Sequence, residues 1–235
     1  ILETGGKTMP NEWIDQDTKH RIVRLTNKAG DNSSFYFHNN PFIGNRMVFY
    51  STDSNGRQLY TLHLRTKEVR RLTNWNRPMS GEITGRKTRK VYYQIGDSVL
   101  STDIDNRTSE VLFVFPKDFK GTITTLNADE TLIGGYHSTE AEREIYRKNP
   151  AKSSYFNLIY EAKLPRTLFA IDIKSKELKK LHTDSAWLNH VQFSTADPDL
   201  LMFCHEGPWH KVDRIWTIDI KTGKIQLMHK RSMDM

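Results

Sequence analysis

Four segments of this chain repeat one pattern, a β-rich stretch, a short polar turn and a second β-rich stretch, and that repetition constrains the fold more than any other feature. They read YTLHLRTKEVRRLT from Tyr60 to Thr73, LSTDIDNRTSEVLF from Leu100 to Phe113, LFAIDIKSKELKKLH from Leu168 to His182, and IWTIDIKTGKIQLMH from Ile215 to His229. Aligning His63, Asp103, Asp172 and Asp219 gives spacings of 40, 69 and 47 residues. Two of the three fall near the roughly 40–50 residues of a four-stranded propeller blade. Apolar and polar residues alternate within each copy, as in Ile218, Ile220 and Ile225 against Asp219, Lys221 and Lys224. That is the period of a half-buried strand and not of a helix. The turns, such as Asp105-Asn106-Arg107 and Lys221-Thr222-Gly223, are short enough for hairpins.

Upstream of each hairpin lies another apolar strand: Met47 to Tyr50, Val91 to Ile95, Leu132 to Tyr136 and Leu200 to Cys204. Upstream again is an inner stretch: Ser34 to Phe42, Gly81 to Thr84, Gly121 to Leu126 and Trp187 to Phe193. Four strands per unit predict an all-β chain, a β-propeller of about four blades near 31–74, 75–116, 117–185 and 186–231, within one domain spanning 1–235. Arg21 to Leu25 reads as an outer strand without a blade of its own, the kind of terminal strand that closes a ring by completing the last blade. That last blade is absent, so the propeller is expected to be incomplete. The long spacing comes from an insertion in the third blade at 137–165. Glu140 to Arg147 predicts a short helix ended before Asn149-Pro150, because the residue before proline avoids the helical region. The insertion is either a surface excursion or a lid over the channel.

Composition narrows the class of partner. No apolar run approaches the 18 residues of a membrane span. Ile1 to Pro10 holds neither an initiating Met in first place nor an apolar signal core, which reads as a processed or engineered start and leaves periplasm and cytoplasm both open. One cysteine, Cys204, excludes an internal disulfide and a thiolate metal cluster, and its apolar strand neighbours mark it as a small inert core residue. The net charge of +7 favours polyanions in general, but Arg65, Lys67, Arg70, Arg71, Lys174, Lys176, Lys179, Lys180, Lys221 and Lys224 cluster on the outer hairpins. Most of that charge is therefore a solvated rim that discourages strand-edge association. No stacking-aromatic or recognition-helix pattern accompanies it, so neither nucleic acid nor membrane is the expected partner.

The fourth blade carries WLNHVQFSTADPDLLMFCHEGPWHKVDRIWTID, from Trp187 to Asp219, and this stretch resembles the oligogalacturonate lyase family. The family pattern is an inner-strand histidine, an FCHEGP stretch, and an arginine two residues before the aromatic of the next strand. Its counterparts are His190, Phe203 to Pro208, and Arg214 with Trp216. WIDQDTKHRIVRLT, from Trp13 to Thr26, is similar too, and weaker likeness runs through the other blades. The resemblance implies a seven-bladed ring that cleaves short oligogalacturonates, pectin fragments, by metal-assisted β-elimination, with manganese or a similar divalent ion in the complete enzyme. The family's general-base histidine and histidine-rich metal site lie on blades after the HEGP blade, beyond Met235. No metal ligand is therefore expected in this chain, and none is expected to be bound by it alone. A second chain or a further segment is expected to complete the propeller.

β-Elimination from a uronic acid removes the proton beside a carboxylate, so negative charge builds on that carboxyl group. A guanidinium can grip it through two parallel hydrogen bonds and stays charged at any working pH. By residue type and family position Arg214 fits this role; its plainer role is an ion pair with Asp213 or Glu206 tying strands together. His190, on an inner strand facing the channel, is a candidate for hydrogen bonding to sugar hydroxyls or for proton transfer. His205, Glu206 and His210 do not form a zinc-protease motif, since HEGPWH is not HExxH and Gly207-Pro208 breaks the helix such a motif needs. They remain candidate substrate contacts at the channel mouth, with a structural turn as the alternative. His38, beside Asn39 and Asn40, is a further candidate on the first inner stretch. The competing function is a non-catalytic propeller scaffold that binds an acidic oligosaccharide or a protein.

Overall fold

The computed structural model describes residues 10–232. Residues 1–9 and 233–235, which the readings of the chain's start and of Met235 touch, lie outside the described residues. The architecture is a run of β-propeller blades. The first sheet holds β3 (Asn32–Ser33), β4 (Phe42–Ile43), β5 (Arg46–Asp53), β6 (Gly56–His63) and β7 (Val69–Arg71). The second is β8 (Ser80–Gly85), β9 (Lys90–Ile95), β10 (Ser98–Asp103) and β11 (Ser109–Val114). The third comprises β12 (Gly121–Leu126), β13 (Leu132–Ser138), β14 (Arg166–Asp172) and β15 (Leu178–Asp184), with α1 (Glu140–Lys148) and α2 (Lys152–Ala162) between its second and third strands. The fourth is β16 (Leu188–Phe193), β17 (Leu200–His205), β18 (Ile215–Asp219) and β19 (Ile225–His229). Every pairing is antiparallel between sequence neighbours, apart from β3, which reaches past β4 to pair with β5.

The strand at Arg21 has no blade of its own: it lies outside the four blades in a small hairpin, β1 (Glu12–Ile14) with β2 (Arg21–Val23), closed by the Asp15 carboxylate accepting from the Thr18 amide at 2.7 Å. Leu25, after this hairpin, packs on Phe49, Tyr60 and Leu62 of the first sheet. One expectation needs correction. The stretch from Ser34 to Phe42 is not a continuous inner strand: β3 stops at Ser33, β4 begins at Phe42, and the intervening residues leave the sheet as a loop.

The recurrent hairpins share one atomic device. The carboxylates of Asp103, Asp172 and Asp219 each accept from the backbone amides two and three residues later, at 2.7–3.0 Å. His63 takes part of this role with Nδ1, accepting from the Thr66 amide three residues later at 3.1 Å. Four residues after each of these the chain turns left-handed, at Lys67, Arg107, Lys176 and Gly223, with φ of 63°, 65°, 63° and 74°. The side-chain caps tie off amides that the ladder leaves unpaired, which explains why one polar residue type marks the same place in three blades. Backbone hydrogen bonds hold the Asp172 and Asp219 carboxyls below the ordinary carboxylate range.

Between consecutive sheets lies a core fed by strand alternation. Val91, Tyr93 and Ile95 join Val48, Tyr50 and Leu59 between the first two sheets. Tyr92, on the opposite face of β9, joins Ile123, Ile133 and Phe169 between the second and third. Leu168 and Ala170 meet Val191, Phe193 and Leu201 between the third and fourth.

The insertion is anchored by charge. Thr139 caps α1 by accepting from the Glu142 amide, acidic residues open the helix and Arg147 and Lys148 close it, as the helix dipole favours. Glu142 and Arg166 are both only 2% exposed and form an ion pair, with Arg166 Nε 3.1 Å from each carboxylate oxygen. Arg166 also donates to the Leu188 carbonyl of β16 and lies 4.2 Å over the Tyr136 ring. The helix α2, which the sequence reading missed, sets Tyr155 and Phe156 edge-on against Trp187.

Replacing Glu142 with Ala leaves the Arg166 guanidinium buried without its counter-charge. It should lower unfolding free energy by about 3–5 kcal/mol in denaturant titration. Lys176→Gly should raise it by about 0.5–1 kcal/mol, the left-handed penalty of an L-residue less the added chain entropy of glycine, read as a higher denaturant midpoint at unchanged slope.

Candidate functional site

His205 is the last residue of β17 and Glu206 the first beyond it, and the two side chains part company there. His205 stacks on Trp216 with ring centroids 5.0 Å apart and lies 3.8 Å from the Asp184 carboxylate, between the third and fourth sheets. Burial holds its imidazole below the usual histidine range. Glu206, 8% exposed, points the other way and becomes the centre of a cluster. Its Oε1 is 2.9 Å from Arg214 Nη2, and its Oε2 is 3.2 Å from His190 Nε2 and 3.5 Å from Asn189 Nδ2. The Glu206 amide donates to the Trp187 carbonyl at 2.9 Å, tying the loop to the inner strand.

Arg214 also donates from Nη1 to the Gly207 carbonyl at 3.2 Å, and its guanidinium lies 5.4 Å from the Trp209 ring centroid. Two of its five N–H donors are engaged with the loop; the others have no protein acceptor among the described residues. Asp213, the other candidate partner, instead accepts from the Arg231 amide at 2.9 Å. The turn after Glu206 is tight against the insertion: a Cβ at Gly207 would stand 2.6 Å from the Tyr160 ring of α2, so only glycine fits. The insertion thus supports the HEGP loop from behind.

His190 adopts φ +47° within a bulge where β16 slips register against β17 between Asn189 and Gln192. A left-handed non-glycine residue costs about 1–3 kcal/mol, and such strain concentrates where a side chain must be aimed. Here it aims the imidazole at Glu206. Across from it come residues of the first sheet's loop: the Tyr36 and Phe37 rings lie 6.3 and 6.2 Å from the His190 ring. His38 follows them, its imidazole held below the usual range by burial, opposed by the Thr124 carbonyl.

Of the residues singled out by sequence, Arg214, Glu206 and His190 come together, and His38 stands beside them on the loop. His205 makes its contacts elsewhere, and His210 sits half-buried in the turn that the Lys211 amide closes on the Pro208 carbonyl. Sequence reasoning missed Asn189, Tyr36 and Phe37. The run FYFH at 35–38, three aromatics inside an inner stretch, was the available signal. His38 also borders a polar cavity of about 500 Å³, with Thr84, Arg86, Asn127 and Gln192 among its walls. Among the described residues no three His, Cys, Asp or Glu side chains converge to hold a metal ion. Glu206 is already matched by Arg214, so this donor set does not fit a divalent cation. Cys204 is buried, and burial pushes its thiol up to about 11, away from nucleophilic use.

The family model described as oligogalacturonate lyase matches residues 6–233. This chain belongs to the oligogalacturonate lyase family. The oligogalacturonate lyase of Dickeya dadantii (strain 3937) is 24% identical over 213 residues, covering 88% of this chain and 54% of that protein. The chain therefore spans about half the length of the curated relatives it matches. A solved oligogalacturonate lyase in complex with manganese superposes with a TM-score of 0.80 at 23% identity, over 93% of this chain and 58% of that one. The oligogalacturonate lyase from Vibrio parahaemolyticus gives 0.82 at 24% identity over the same shares. At such identities the likeness carries the fold, and the family-model match carries the membership.

His190→Gly removes the left-handed strain together with the imidazole. Denaturant titration should show a gain of about 1 kcal/mol, the opposite of what loss of an ordinary strand histidine does.

Proposed function

We propose that this chain supplies the carboxylate-gripping part of a lyase site for short galacturonate oligomers. The observation that carries the reading is Arg214: a guanidinium held by Glu206 and the Gly207 carbonyl, with its remaining donors open, beside His190 on the same carboxylate. Family membership, with its pectin-derived substrates, supports the same class of ligand.

In this reading Arg214 binds the uronate carboxylate and offsets the charge that gathers there when the adjacent ring carbon loses its proton. Glu206 fixes the guanidinium so that little ordering remains to be done on binding. His190, whose Nε2 lies 3.2 Å from the Glu206 carboxylate, presents the rest of its ring to the sugar and contacts its hydroxyls. His38 stands beside them on the first sheet's loop, whereas His205 of β17, stacked on Trp216, and His210, in the turn that follows, stand outside the grip. The base that takes the proton, and any metal that a relative employs, are not assigned to residues of this chain.

This chain is expected to bind digalacturonate. In a polypeptide that spans the full length of its relatives, digalacturonate with manganese should generate the ultraviolet absorbance of the unsaturated product. Arg214→Ala should weaken binding roughly tenfold to a hundredfold, as for loss of a charge-assisted pair. Unchanged binding in that variant removes Arg214 from the site, and failure of the wild-type chain to bind at all sinks the reading in favour of a scaffold.

A further inference from the structure

The loop that replaces the first sheet's inner strand holds two aromatic rings out of the core and beside His190. Phe37 is 79% exposed and Tyr36 53% exposed, with ring centroids 4.4 Å apart. The loop is nevertheless strapped down. Phe35 is buried on one side of them, the Asn39 amide donates back to the Tyr36 carbonyl at 2.9 Å, and Asn39 Nδ2 donates to the Glu82 carbonyl of β8 at 2.9 Å. Thr84 of the same strand donates to the Asn40 carbonyl. Two large apolar faces kept in water on a fixed backbone mark a surface built to meet something.

We infer that Tyr36 and Phe37 form a stacking platform for a second sugar ring, the uronate next to the one whose carboxylate Arg214 holds. The inference rests on the proposed function and deepens it. In a galacturonate ring the hydrogens on carbons 3, 4 and 5 share one face, which is apolar and weakly positive. Such a face matches the negative face of an aromatic ring. On the reacting sugar that face cannot rest on the platform, because the hydrogen on carbon 5 must stay open to the base that removes it. The neighbouring sugar has no such restriction. His190 stands between the platform and the Glu206–Arg214 pair, where it can contact both sugars.

The platform makes length selectivity a property of the loop. Wild-type chain, Tyr36→Ala, Phe37→Ala and Arg214→Ala are titrated calorimetrically with digalacturonate and with galacturonate monomer, after circular dichroism melts confirm that each is folded. Both aromatic positions are largely exposed, so folding should persist. Each aromatic variant should bind digalacturonate about tenfold more weakly, the equivalent of most of one aromatic ring's burial, while monomer affinity stays within twofold of wild type. Arg214→Ala should weaken both ligands. If the aromatic variants bind digalacturonate as wild type does, or lose monomer and dimer equally, the platform is wrong while the carboxylate grip stands. If wild-type chain binds neither sugar, both the platform and the reading beneath it fall.

Discussion

Each middle strand of this fold must bury both of its faces, and the rest of the structure follows from that demand. Tyr92 and Tyr93 are neighbours in sequence, yet one is packed against the third sheet and the other against the first. Phe169 and Leu168 divide in the same way between the second and fourth sheets. A sheet with two apolar faces cannot stand alone in water, so the sheets stack, with apolar burial as the driving term. Stacking also brings the loop of the first sheet beside His190 on the first strand of the fourth, and the site is gathered around that meeting.

The strands were legible in the sequence because alternation of period two and a capping residue at each hairpin are local signals. Asp103, Asp172 and Asp219 bond to amides two and three residues away, so their effect needs no knowledge of the fold. α1 was legible for the same reason, through its acidic start and the Asn149-Pro150 stop. α2 was not. It has no side-chain cap at Ala151, ends on a left-handed Lys163, and owes its position to Trp187 and Gly207 in the next blade. The loop at Ser34–Pro41 failed in the opposite sense, since its residues read as an inner stretch but are drawn out of the sheet by partners on β8.

The site was half legible. Residue types and the family pattern singled out Arg214, His190 and Glu206, and Glu206 was one of two ion-pair partners open to Arg214; that His190 meets the same carboxylate was not legible. His205 closes β17 and stacks on Trp216, while Glu206, the first residue beyond the strand, turns to organise the cluster, and where the strand stops is what separates the two roles. The left-handed turn at His190 leaves no mark in the sequence, because it results from a register slip against β17. Tyr36 and Phe37 come from the first sheet, far from the residues they approach, and only the stacking of four sheets brings them there.

That last feature bears on how the protein comes apart. Consecutive sheets meet through separate apolar cores and share no strand. The first sheet supplies the aromatic loop and the fourth supplies His190, Glu206 and Arg214, so the site exists only while those two sheets keep their places relative to each other. Loosened packing between sheets should therefore erase ligand recognition while each sheet keeps its own ladder of hydrogen bonds, and a probe of bulk strand content would report the molecule as intact.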